Sequence, residues 1–187
     1  RTRLGEIRHE AGRIREVLAV GPSGALRIPA ASVVSTVALR DLVPALAPPL
    51  APAAAEAARA LRYRDFLEVA LVLEGAEPFP DTWVYLHDPG VRAGRLQNFR
   101  AWSPDLVPTP DRCCVGVEYF CSVGDDLWRL PDAELVALAT AELARVGLSG
   151  GRRVLAGHVV RMRDAYPIYD ARHLAQVRQM LPIVDLV

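Results

Sequence analysis

Arg95, Asn98 and Arg100 lie close together near the end of an apparent strand, with Trp102 and Ser103 immediately after. Asn98 and Arg100 share parity, so a strand running through both would project them from one face. Two guanidiniums, an amide and an indole suit an anionic or sugar-like ligand, because the arginine fork binds carboxylates and phosphates in two-point fashion. The same residues also suit a structural role, an arginine–carboxylate network with a buried Trp bracing the loop. Tyr166 and Tyr169 flank Pro167 and Ile168 at the end of a strand containing His158 and Arg161. Phenols at a strand end can line a pocket wall and donate a hydrogen bond, or simply cover a sheet edge.

Other chemistry is poorly supported. The three cysteines are Cys113, Cys114 and Cys121. On one strand Cys113 and Cys121 would stand too far apart to bond, at about 3.3 Å per residue. With no CxxC and no histidine at ligand spacing, they read as small buried residues, and no metal site is expected. His9, His87, His158 and His173 are scattered, so no triad can be drawn and the catalytic residues stay unassigned. Asp125 and Asp126 read as a solvated turn. The chain contains neither GxGxxG nor a Walker motif.

Composition narrows the function classes further. All 22 basic residues are arginine, against 22 acidic residues, for a net charge of zero. No positive field invites nucleic acid, and no lysine can form a Schiff base. The absence of Lys beside many Ala and Pro suggests a high-GC bacterial gene. No apolar run reaches the length of a membrane span, and a cytoplasmic, reduced setting is expected.

The elements that must position these groups are set by pattern. Ile14, Leu18 and Val20 share one parity, as a half-buried strand requires, and residues 21–24 form a turn into a second strand at Leu26 and Ile28. The apolar run ASVVSTV, residues 31–37, predicts a short buried strand. Residues 39–62 are helical in character but broken by Pro44, Pro48 and Pro49, with Pro52 near a first turn. Leu67, Val69, Leu71 and Leu73 alternate along a strand, and Asp88-Pro89-Gly90 turns a hairpin. In CCVGVEYFCS, Cys113, Val115, Val117, Tyr119 and Cys121 share one face, and Cys114, Gly116, Glu118 and Phe120 the other. Leu135, Leu138, Ala139, Leu143 and Val146 predict a helix over 132–146 closed by Gly147. Residues 152–162 read as a strand, and Asp170 can cap a last helix through about Leu181. The expected class is α+β, mainly antiparallel sheet with helices packed on one face.

Several phrases, taken in order, resemble a flavin-dependent oxidoreductase family: the amine-oxidase, protoporphyrinogen-oxidase and UDP-galactopyranose-mutase-like group. VVSTVALRDL is similar to the strand and loop after the β-meander of its flavin domain. RYRDFLEVALVL, HDPGVRAGRLQNFRAWSP, GVEYFCSVGDDLW and AYPIYD resemble its substrate domain, and AELVALATAELARVGL that domain's helix. Ala38 departs from the pattern, since the family usually has Pro there. The resemblance implies a partial flavin-domain β-remnant over residues 1–45 and a substrate-binding-like α+β domain over 46–187. It implies FAD in an intact parent protein, whose Gly-rich dinucleotide turn would precede this segment and whose Gly-Arg motif would come after it. It implies a sheet roofing a small-molecule substrate pocket, with Arg95, Asn98, Arg100, Tyr119, Tyr166 and Tyr169 as its lining. On this reading the chain alone is inactive and self-associates through an apolar surface. The parent is an oxidase of amines or cyclic substrates, or a flavin-dependent sugar isomerase. A free-standing α+β ligand-binding or protein-interaction module is the competing reading.

Overall fold

The computed structural model describes residues 2–76, 78–107 and 109–180. In chain order the elements are β1 (Arg3–Glu10), β2 (Arg13–Gly21), β3 (Gly24–Pro29), α1 (Leu39–Leu42), β4 (Leu46–Ala47), α2 (Pro52–Ala60) and β5 (Tyr63–Glu74). Next come β6 (Trp83–Tyr85), β7 (Arg95–Asn98), α3 (Phe99–Trp102), β8 (Arg112–Cys121), α4 (Asp126–Arg129), α5 (Asp132–Arg145), β9 (Val154–Pro167) and α6 (His173–Met180). They form two compact units, one of Arg1–Arg62 with Pro167–Val187 and one of Tyr63–Tyr166. The class is α+β, with two mainly antiparallel sheets.

The first unit carries a four-stranded sheet of order β3-β2-β1-β4. Gly21 pairs with Gly24 across the β2–β3 turn, where Gly24 takes a φ of 109° that a side chain would resist. The expected strand over 31–37 does not form. Residues 30–38 carry no ladder, and Val34 is 96% exposed. An apolar run becomes a strand only where a neighbour receives its backbone hydrogen bonds, and no described strand does so here. Helix α2 starts with Pro52 in its first turn, where the missing N–H costs nothing, and packs against α6. Asp170 caps α6 through Oδ1, which accepts from the backbone N–H groups of Arg172 and His173. Leu181, the expected end of that helix, lies outside the described residues.

The second unit is a five-stranded sheet of order β6-β7-β8-β5-β9. Leu67, Val69, Leu71 and Leu73 of β5 are fully buried on one face, together with Val115, Val117 and Tyr119 of β8 and Leu96 of β7. Leu135, Ala139 and Leu143 of α5 close that face into the core. The helix can lie low over β9 because of Gly157, where a Cβ would sit 2.5 Å from Val136 Cγ1. Gly147, at φ 75°, donates to the Ala144 carbonyl and ends the helix as expected.

Candidate functional site

A strand with one apolar face must put its polar residues on the other, and the ladders of the second unit bring several strands' polar residues together. In register, Glu68 of β5 faces Glu118 of β8, Glu118 faces Arg95 of β7, and Arg95 faces Tyr85 of β6. The Arg95 Nε donates to Glu118 Oε2 at 2.5 Å. Its other nitrogens donate to the hydroxyls of Tyr85 and Tyr166, each at 3.3 Å. The guanidinium also lies 5.5 Å from the Trp83 ring, 5.6 Å from Tyr85 and 6.0 Å from Phe120, within cation–π range. Partial burial works against the charge on Arg95. The bonds that Arg95 donates to Glu118, Tyr85 and Tyr166 outweigh it, so its pKa is raised.

Glu118 is 0% exposed. Its second oxygen, Oε1, accepts from the Gln97 amide, so both carboxylate oxygens are used. Glu68 is different. Its Oε1 is buried and has no hydrogen-bond partner among the described residues. Burial first, and the facing Glu118 second, raise its pKa, with Arg95 opposing. Gly116 makes room for this carboxyl, since a Cβ there would collide with Glu68 Oε1 and crowd the Phe99 ring at 3.2 Å. Cys114 shares the face, and burial, then Glu68, push its thiol up to about 11. A thiol so shifted is a poor nucleophile near neutral pH. Phe66, Phe120 and Tyr166 pack as a triangle of rings with centroids 5.8–5.9 Å apart, which fixes the Tyr166 hydroxyl beside Arg95. The result is a compensated ion pair, one carboxyl whose Oε1 lacks a partner among the described residues and an aromatic surround, which can bind and orient a ligand.

Of the residues expected at the site, the structure brings Arg95 and Tyr166 together. Asn98 is fully buried, where its Nδ2 donates to the Phe79 carbonyl at 2.7 Å and its Oδ1 accepts from Ala101 N–H. It ends β7 and caps α3, so the parity expected to align it with Arg100 is broken by a helical turn. Arg100 donates to the carbonyls of Thr109, Pro110 and Arg112 instead. Tyr119 points into the core, where its hydroxyl donates to Glu142 Oε2 at 3.0 Å. Burial, then Glu142, raises its pKa, which keeps the phenol neutral. Tyr169 belongs to the first unit, 79% exposed and edge-on to His173. Glu68, Gln97, Glu118, Tyr85 and Trp83 are the site residues that sequence reasoning missed. Glu118 was legible in part, as it falls on the non-apolar parity of β8.

No protein-family model matches the chain, and no curated protein matches its sequence. Solved structures do match. A reduced UDP-galactopyranose mutase superimposes with a TM-score of 0.66 at 14% identity, over 96% of this chain and 37% of its own. A protein assigned as a protoporphyrinogen oxidase from Exiguobacterium gives 0.57 at 16% identity, over 96% of this chain and 38% of its own. A putrescine oxidase redesigned in its cofactor binding gives 0.53 at 16%, over 84% and 33%. At such identities the likeness is one of fold. The chain spans little more than a third of the length of these proteins.

Proposed function

We propose that this chain is the substrate-binding portion of a flavin-dependent oxidoreductase, and that the polar face of its five-stranded sheet walls the substrate pocket. The observation that supports it is the convergence of Arg95, Glu118, Gln97, Tyr85 and Tyr166 from four strands onto that face, in a fold shared with an oxidoreductase and a mutase of the resembled group. Arg95, Tyr85 and Tyr166 hold one another in fixed orientation, so a ligand meets a preformed wall. The rings of Trp83 and Phe120 supply its apolar part.

The described residues do not fit the pyrophosphate of a dinucleotide. That group calls for a helix N-terminus reached from a strand through a glycine-rich turn. The longer described helices begin instead after Ala51, after Pro131 and at the Asp170 cap, whose carboxylate repels an anion. FAD, where bound in the parent protein, would carry the electron transfer and be held by residues other than these. This chain's part is to bind, orient and exclude water. The test is to express the longest reading frame containing this sequence and record its visible spectrum. Bound flavin bands that bleach on dithionite addition are expected. A colourless protein that takes up no added FAD would overturn the reading.

A further inference from the structure

Helix α2 ends at Ala60, and the chain beyond it meets the turn that starts α6. The Arg62 carbonyl accepts from Ile168 N–H at 2.9 Å, and Gln176 Nε2 donates across from α6 to the Ala60 carbonyl at 3.1 Å. Beside these two ties lies a cleft of about 340 Å³ within the first unit, lined by Ala60, Arg62, Asp170, Ala171, Arg172 and Gln176. The two alanines contribute only methyl groups, which leaves the space to the longer side chains around them. Asp170 is already engaged. Its Oδ1 accepts from the backbone N–H groups of Arg172 and His173, and its Oδ2 faces Arg62 Nη1 at 3.6 Å. Arg172 is exposed, and its guanidinium has no hydrogen bond or ion pair among the described residues. The cleft therefore sets two guanidiniums against one carboxylate, with one cation left over. Its surroundings do not cancel that charge. Residues 52–62 and 168–180 carry Arg59, Arg62, Arg172 and Arg178 against only Glu56 and Asp170.

We propose that this cleft binds a small carboxylate, with the planar fork of Arg172 taking the carboxylate and Arg62 adding a second positive charge. A carboxylate meets such a fork in two parallel N–H···O bonds, the strong form of this contact. One uncompensated cation also matches one negative charge. The amide donor of Gln176 is spent on Ala60, so its Oε1 is left as an acceptor. That acceptor suits a hydroxyl next to the ligand's carboxylate, as in a small 2-hydroxy acid. The end of α6 is not itself the receptor. Asp170 occupies the N–H groups of its first turn, so side chains hold the ligand and Asp170 opposes it.

The experiment uses this chain without flavin, so its outcome is independent of the spectral test above. Glycolate, its neutral counterpart glycolamide and inorganic phosphate are titrated into isotope-labelled protein at neutral pH and constant ionic strength. The amide resonances of Ala60, Arg172 and Gln176 are monitored. Glycolate should shift them saturably, with glycolamide at least about tenfold weaker, as loss of a charged hydrogen-bonded pair implies. Phosphate should bind no more tightly than glycolate. Arg172→Gln should weaken glycolate by about tenfold or more. Asp170→Asn keeps the capping oxygen and removes the opposing charge, so it should strengthen glycolate by about threefold. Arg178→Gln removes a cation of the same helix outside the cleft and should leave binding unchanged. Unperturbed resonances of β1 and β2 report that each variant is folded. No saturable glycolate shift, equal binding of glycolamide, tighter binding of phosphate, or failure of Asp170→Asn to strengthen glycolate would each overturn the proposal. So would an Arg178→Gln loss as large as that of Arg172→Gln, which would reveal a diffuse field in place of a site.

Discussion

Glu142 offers the sharpest test of how this fold is held together. It sits on the inner side of α5 beside Leu143 and is 6% exposed. Its Oε1 accepts from Arg92 N–H at 2.7 Å, and its Oε2 from Ala93 N–H at 3.1 Å and from the Tyr119 hydroxyl. One carboxylate thus ties the helix to β8 and to the segment that leads into Arg95. In Glu142→Ala two buried donors, Ala93 N–H and Tyr119 O–H, lose their acceptor, at about 1–3 kcal/mol each. Arg92 N–H is partly exposed and can turn to water. Relaxation and water entry offset part of this, and the expected loss is about 3 kcal/mol, a large share of the roughly 5–15 kcal/mol that holds a domain folded.

The assay is urea unfolding monitored by tryptophan fluorescence, with the midpoint shifted and the slope unchanged. Glu142→Gln retains volume but sets an amide N–H against a backbone N–H, so it should cost about 1–2 kcal/mol. Tyr119→Phe should cost about 1 kcal/mol. Because Glu142 and Tyr119 share a bond, the double variant Glu142→Ala with Tyr119→Phe should lose less than the sum of the singles. A Glu142→Ala protein within about 0.5 kcal/mol of wild type, the range of ordinary surface changes, would refute this account of the anchor. So would strict additivity.

Two more carboxyls, partly buried Glu68 and buried Asp65, carry expected outcomes of their own. The native state raises the pKa of Glu68, so it binds the proton more tightly than the unfolded chain does. The stability this contributes is complete below the unfolded value of about 4.3 and is lost as pH rises through the folded value. Wild type should therefore lose stability relative to Glu68→Gln as pH rises from about 4 to about 7, and urea midpoints showing the opposite trend would contradict it. Asp65 accepts from Val123 N–H at 2.6 Å and from Asp164 N–H at 2.8 Å, where Asp164 holds a left-handed φ of 54°. Asp65→Asn should cost about 1–2 kcal/mol and speed hydrogen exchange at Asp164, and unchanged exchange there would refute the contact.

The part of this fold that could be read in sequence was the face that packs. The leucine alternation of β5 and the stripe of α5 report burial directly, because removal of apolar surface from water is local to each element's own period. The same rule, applied strictly, places Tyr119 in the core, since it shares parity with Cys113, Val115 and Val117. The resemblance pointed Tyr119 toward the pocket, and the ladder sets it against Glu142. The Arg95–Glu118 pair was not legible, because it depends on the register between β7 and β8. A slip of one residue would have sent either side chain to the opposite face. Arg100 was misplaced for a related reason: the strand stops at Asn98, and the helical turn of α3 rotates the next residues out of the strand's alternation.

The polar face then poses an energetic question that stability alone does not answer. A fully buried glutamate held by an arginine contributes little net stability, since the desolvation of both charges offsets their attraction. Apolar residues of equal size on β7 and β8 would hold these strands as well. The pair supplies fixed geometry instead: Arg95 locked between Tyr85 and Tyr166, Gln97 locked on Glu118, and Glu68 Oε1 left without a partner among the described residues in the notch above Gly116. The arginine, glutamine and second glutamate around Glu68 hold one another, with three of the five Arg95 N–H groups engaged, while Glu68 Oε1 stands outside that network. An arrangement of that kind is costly as a core, and its fixed geometry is what the proposed substrate wall requires.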